Sequence, residues 1–173
     1  MQSPPALVSL MVPTPSGFTS EPTDEDSGGK AGTIGIAEAA SADCDGVSET
    51  DLRQERWVTS ELRYFDKNPA YPATYVLICV TELGSSSDAS HNEQQLVAEN
   101  GRSIGPLPAP TPFAVTGIPG AAGVLVGAAP KITFAKGRYV VFVVSAGVSA
   151  PGLAALRTLA TDLASAQYQR LSG

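Results

Sequence analysis

The chain has 173 residues, a net charge of −6 and a pI near 4.7, which argues against non-specific binding to nucleic acid or anionic lipid head groups, since both need a basic surface. Its length suits one domain with a real core better than two. Charged residues make up only 16 %, against 17 glycines and 14 prolines, a composition closer to a loop-rich secreted domain than to a charged helical one.

In chain order, residues 1–31 read as a Pro/Gly-rich entry segment, with a candidate first strand at Leu7 to Val12 where apolar residues fill both alternating sets. Glu21, Asp24, Glu25 and Asp26 offer oxygen ligands, but they lack the spacing, loop glycine and closing glutamate of a calcium loop and read as a solvated acidic loop. Gly32 to Ala42 reads as a short helix capped by Thr33, and Ser48 begins a second helical turn. Glu55 to Asp66 then fits a half-exposed strand with Val58, Ser60, Leu62 and Tyr64 on one face.

Asn68 to Pro72 is a turn, and Thr74 to Leu83 is a strongly apolar strand, so the pair forms a hairpin. A helix capped by Ser87 or Asp88 runs to Asn100-Gly101, and the proline-rich stretch around 101–112 separates two hairpin-plus-helix halves of a single α+β domain, 32–173. Phe113 to Val126 reads as two short strands about a Pro-Gly turn. Lys131 to Phe134 and Tyr139 to Val144 form a second strong hairpin around Gly137. Leu153, Leu156, Leu159 or Ala160, Leu163, Gln167 and Leu171 mark one stripe of a closing helix, with Ser149 and Pro151 suited to its start. The expected fold is α+β: an antiparallel sheet built from hairpins, with helices packed on it.

Candidate chemistry is sparse. His91 is the one histidine; it sits at the polar start of a helix with no nucleophile-elbow motif, and reads as a surface residue, so no catalytic residue is assigned. Asp43-Cys44-Asp45 lacks a second nearby Cys or His for zinc, and the glycine-rich stretches lack a phosphate-binding fingerprint; no metal and no cofactor are expected. Cys44 and Cys79 either close a single disulfide, or Cys79 is a buried thiol in its strand. Trp57 either packs beneath the first helix, the preferred reading, or sits on an exposed face with Tyr71 and Phe113; Trp57, Tyr71, Leu107 and Phe113, with the rigid prolines around Leu107, form the candidate contact surface. No segment reaches the length of apolar chain needed to span a membrane.

Pro13 to Phe18, Val115 to Gly123, Ile132 to Val141 and the closing Ala-Gln-Tyr-Gln-Arg-Leu171 together resemble a group of exported actinobacterial, especially mycobacterial, cell-envelope proteins, many of them lipoproteins or carriers of one amino-terminal anchor. Several such domains are similar in fold to the extrinsic PsbP proteins of photosystem II. The resemblance implies an extracytoplasmic, non-enzymatic accessory domain that binds an envelope protein partner, with an export signal or anchor outside this chain. The alternatives are a carrier or sensor of a lipid or other apolar ligand, motivated by Ala121, Ala122, Gly123, Ala154 and Ala155, and, more remotely, a hydrolase with an unrecognised site, for which His91 is the one obvious base. Oligomeric state is left open by the sequence.

Overall fold

The structure, a computed structural model, describes residues 6–22, 30–41, 44, 47–70, 74–102, 109–147 and 152–171. An eight-stranded, fully antiparallel sheet forms its centre, built from β1 (Thr19–Glu21), β2 (Gly32–Ile34), β3 (Thr59–Asp66), β4 (Thr74–Glu82), β5 (Thr111–Phe113), β6 (Ala122–Val126), β7 (Ala129–Lys136) and β8 (Tyr139–Gly147). The order is β1-β3-β4-β8-β7-β6-β5, with β2 sharing the β3 edge. The helices are α1 (Leu7–Leu10), α2 (Ile36–Ala39), α3 (Glu49–Gln54), α4 (Ser86–Asn100) and α5 (Leu153–Arg170). This is the expected α+β architecture of hairpins and packed helices.

The two halves meet at their most apolar strands. β4 pairs with β8 along its whole length, Cys79 opposite Phe142, and each is flanked by its own hairpin partner, β3 or β7. Because both strands are central, side chains of both parities are buried, which is why their sequences run apolar without alternation. The β7–β8 turn has Gly137 at φ 58°, the left-handed backbone that a two-residue hairpin loop requires.

Each sheet face has its own helical cover. Val76, Ile78, Val141, Val143, Ile132 and Phe134 face α5, whose Leu156, Ala160, Leu163, Ala164 and Gln167 are buried, while Leu153, expected on the same stripe, is 41 % exposed at the first turn. Leu62, Tyr64, Leu77, Cys79, Val140 and Phe142 face the opposite way, with Ala89 and Leu96 of α4 and Leu52 of α3. Cys44 and Cys79 form a disulfide with their Cα atoms 5.3 Å apart, tying the α2–α3 segment to the middle of β4.

Several local expectations are corrected. Leu7 to Leu10 is helical rather than extended: a helix puts Leu7 and Met11 together on the core side and leaves Val8 48 % exposed. The residues before 32 therefore contribute to the core instead of merely leading into it. Gly32 to Ile34 is a strand, not the start of a helix, because the edge of β3 is available to pair it; the Thr33 hydroxyl donates to Glu61 Oε2 (2.8 Å) instead of capping. Ser85, not Ser87 or Asp88, caps α4, its Oγ accepting from the Asp88 N–H. The first strand of the 113–126 region is shorter and earlier than expected, so residues 114–121 are a connection containing the Pro119-Gly120 turn. Gly152 occupies the cap position of α5; Ser149 and Pro151 lie outside the described residues.

Candidate functional site

The free end of the sheet carries a cleft. α4 packs over β7 and β8, β5 and most of β6 extend beyond it, and the carboxyl-terminal end of the helix borders the space above them. The space has a volume of about 410 Å³ and is walled by Val97, Pro112, Phe113, Val115, Ala121, Ala122, Gly123 and Val124, with Asn100 and Thr133 as polar groups. An apolar cleft of this size with a few polar side chains is the usual form of a small-molecule site.

Local sequence explains why the cleft is open. Ala122 supplies almost no side-chain volume where a valine or leucine would fill the space. Gly123 lies directly opposite Phe113, and a Cβ at position 123 would meet the Phe113 ring at 2.6 Å and its backbone oxygen at 2.8 Å. The ring therefore lies across bare backbone, a packing that only glycine permits. Beyond the ring, the Arg157 guanidinium stacks at 4.5 Å from its centroid. Phe113 also lines a shallower groove with Ala154 and Arg157. The small residues expected to share one pocket are thus divided: Ala121, Ala122 and Gly123 line the cleft, and Ala154 lines the groove.

Lys131 lies beside the cleft, outside its lining, and reaches its polar end through the lining residue Asn100. It faces its cross-strand neighbour Val124 and precedes Thr133 by two, so all three point to the same sheet face. Its Nζ donates to Asn100 Oδ1 at 3.1 Å and lies 5.7 Å from the Phe142 ring centroid. Burial pushes the ammonium pKa below its ordinary value.

A second polar cluster joins α3 to α4. Glu55, at the end of α3, is buried; Asn92 Nδ2 donates to its Oε2 at 2.7 Å, and His91 Nδ1 lies 2.8 Å from its Oε1. Burial raises the Glu55 carboxyl pKa, the Asn92 and His91 hydrogen bonds oppose that rise, and Asp51 adds to it. His91 itself is 63 % exposed, and among the described residues no hydroxyl or thiol hydrogen-bonds its ring, so the pair has an acid and an imidazole but no attached nucleophile. A consequence is measurable. A carboxyl with a raised folded pKa contributes stability below its unfolded value of about 4.5, and that contribution is lost as pH rises through the folded value. Glu55→Gln abolishes the titration, so wild type should lose stability relative to the variant as pH climbs from the carboxylate range towards neutrality. Parallel pH profiles in urea unfolding would contradict this assignment.

Of the contact surface expected from sequence, the two described residues, Trp57 and Phe113, lie apart. Trp57 is half-buried against the α3–α4 core, its Nε1 donating to Ser60 Oγ at 2.9 Å. Phe113 belongs to the opposite end of the sheet. Five strand spacings lie between β3 and β5, about 24 Å at the usual interstrand distance. Tyr71 and Leu107 lie outside the described residues, as do Asp24, Glu25, Asp26, Asp43 and Asp45. Glu21 is in β1, where Lys67 donates to it at 2.7 Å and holds its carboxyl pKa below the ordinary value. Among the described residues no three His, Cys, Asp or Glu side chains converge as metal ligands, and no helix is long and apolar enough to cross a membrane.

No protein-family model matches the chain, and no curated protein matches it by sequence. Among solved structures, it is similar to the extracellular domain of PknH from Mycobacterium tuberculosis, with a TM-score of 0.54 and 9 % identity over 95 % of each chain. What the chain shares with that extracellular domain is its fold, an antiparallel sheet with helices packed on it.

Proposed function

We propose that this is a non-catalytic extracytoplasmic domain that senses or carries a small apolar ligand in the cleft between β5–β6 and the end of α4. The observation that carries the reading is the cleft itself: about 410 Å³ of apolar-walled space beside the small side chain of Ala122, with Asn100 and Thr133 as its polar side chains. The extracytoplasmic location is supported by the disulfide, which belongs to oxidising compartments, and by the fold shared with a mycobacterial extracellular domain. A membrane anchor outside this chain would tether such a domain at the envelope. An envelope protein partner is the second reading, favoured by the outer edge of β5, where exposed Thr111 and Pro112 leave side chains rather than a pairing strand to be recognised.

Two measurements test the ligand reading. Native mass spectrometry of protein purified from an actinobacterial host, followed by denaturation, should release a small apolar molecule. Nile red, a neutral apolar dye, should bind the stripped protein, and Ala122→Trp should weaken that binding by about tenfold or more by filling the cleft. A clean mass together with unchanged dye affinity in the tryptophan variant would remove the ligand reading in favour of the protein partner.

A further inference from the structure

Lys131 is a cation in an unusual place. It is half-buried beside an apolar cleft, and among the described residues no carboxylate lies within ion-pair distance of it. The nearest helix end carries Glu99 and Arg102, but these pair with each other at 2.6 Å. Burial pushes the ammonium pKa down, and among the described residues no carboxylate pairs with it to offset that. Asn100 at 3.1 Å takes one of its three N–H bonds, and the face of Phe142 supplies a weak attraction. The carboxyl-terminal dipole of α4 compensates only a fraction of a full charge. A desolvated, unpaired cation costs stability, so its natural partner is an anion that arrives with the ligand.

We infer that the cleft takes a singly charged anionic amphiphile, an apolar chain ending in a carboxylate, with the head group on Lys131 and Asn100 and the chain against Val97, Ala122 and Val124. This rests on the cleft being a ligand site. One cation calls for one negative charge, and its position at the side where Asn100 and Thr133 gather sets the orientation: head inward to β7, chain along the wall made by β5 and β6. The ammonium and the Asn100 amide give the carboxylate two kinds of donor, and an amide can turn its NH₂ to the ligand while releasing Lys131.

The test compares dodecanoate with 1-dodecanol, which share a chain and differ in head-group charge, by calorimetry on wild type and on Lys131→Met. Methionine keeps an unbranched apolar stem and removes the charge; relieved of the desolvation penalty, the variant should melt no lower than wild type. Wild type should prefer dodecanoate by about tenfold or more, as charge-assisted hydrogen bonds usually provide. The preference should fall as salt is raised. In Lys131→Met it should vanish while dodecanol affinity stays unchanged. Equal binding of the two probes by wild type, or a preference that survives Lys131→Met, overturns the anionic-ligand assignment and leaves the cleft reading intact. Binding of neither probe overturns both.

Discussion

Replacing Cys44 and Cys79 together by alanine should lower the free energy of unfolding by roughly 3 to 4 kcal/mol, the loop-closure entropy expected for a bridge of this separation. The sequence separation is 35 residues, so the bridge removes many conformations from the unfolded chain that the variant regains. The loss is a large share of the roughly 5–15 kcal/mol typical of a whole domain. Its structural effect should fall on one face. The described residues between the two cysteines that reach the core there include Val47 and Leu52, and the short helices α2 and α3 have only one and two turns of their own hydrogen bonds to hold them. With Cys79 buried in the middle of β4, the bridge anchors this segment to the most rigid part of the sheet. Guanidinium unfolding of wild type with and without reductant, beside the double-alanine variant, checks the magnitude. A change under about 1 kcal/mol in both comparisons would mean that packing alone holds the segment.

The sequence displays the centre of this fold better than its edges. Tyr139 to Val144 and Thr74 to Leu83 announce themselves because a strand buried on both faces has no reason to alternate, and the stripe of α5 is visible because eighteen residues give five turns over which to read a period. Leu7 to Leu10 is too short for that: over four residues, apolar side chains fit either period, and the choice is made by the pocket that receives Leu7 and Met11. Likewise β2 is three residues long and is a strand because β3 offers it an edge, information absent from Gly32 to Ile34 themselves.

The candidate site was legible in fragments. Ala121, Ala122 and Gly123 signalled vacant volume and Phe113 signalled an aromatic contact, but the pairing of β5 with β6 is what makes them one cleft. Trp57 and Phe113 look comparable along the chain and are separated by the full set of central strands, because the β4–β8 pairing inserts the second half of the chain between them. Lys131 is hard to read from sequence for a related reason. Alternation in Lys-Ile-Thr-Phe sends Ile132 and Phe134 inward and, for a sheet with one covered face, sends Lys131 and Thr133 to water. The unbroken apolar runs of Thr74 to Leu83 and Tyr139 to Val144, however, point to a sheet covered on both faces, and in such a sheet a lysine on the strand next to them is partly buried.

Gln167 gives the second large effect. It lies on the apolar stripe of α5 and is fully buried, yet both ends of its amide are satisfied by distant backbone: Oε1 accepts from the Val12 N–H and Nε2 donates to the Leu10 carbonyl, each at 2.9 Å. Those two groups lie where α1 ends and has no further turn to satisfy them, so the side chain completes the helix terminus and fastens it to α5. Gln167→Leu keeps the volume and leaves a buried donor and acceptor without partners, at a cost of about 2 to 5 kcal/mol. Gln167→Glu keeps an acceptor for Val12 but offers no donor to Leu10 and buries a charge, so it should be no better. Arg170→Ala should cost little, because the Arg170 bond to the Ser9 carbonyl is exposed. The damage should begin at α1: Leu7, Met11 and Val12 leave the core once the tie is cut, so hydrogen exchange at Val12 and proteolysis before Phe18 should accelerate ahead of any change at β4 or β8. Uniform acceleration across the sheet would show that α1 and the sheet unfold as one unit, and protection unchanged at Val12 would show that the amide of Gln167 is replaceable by water.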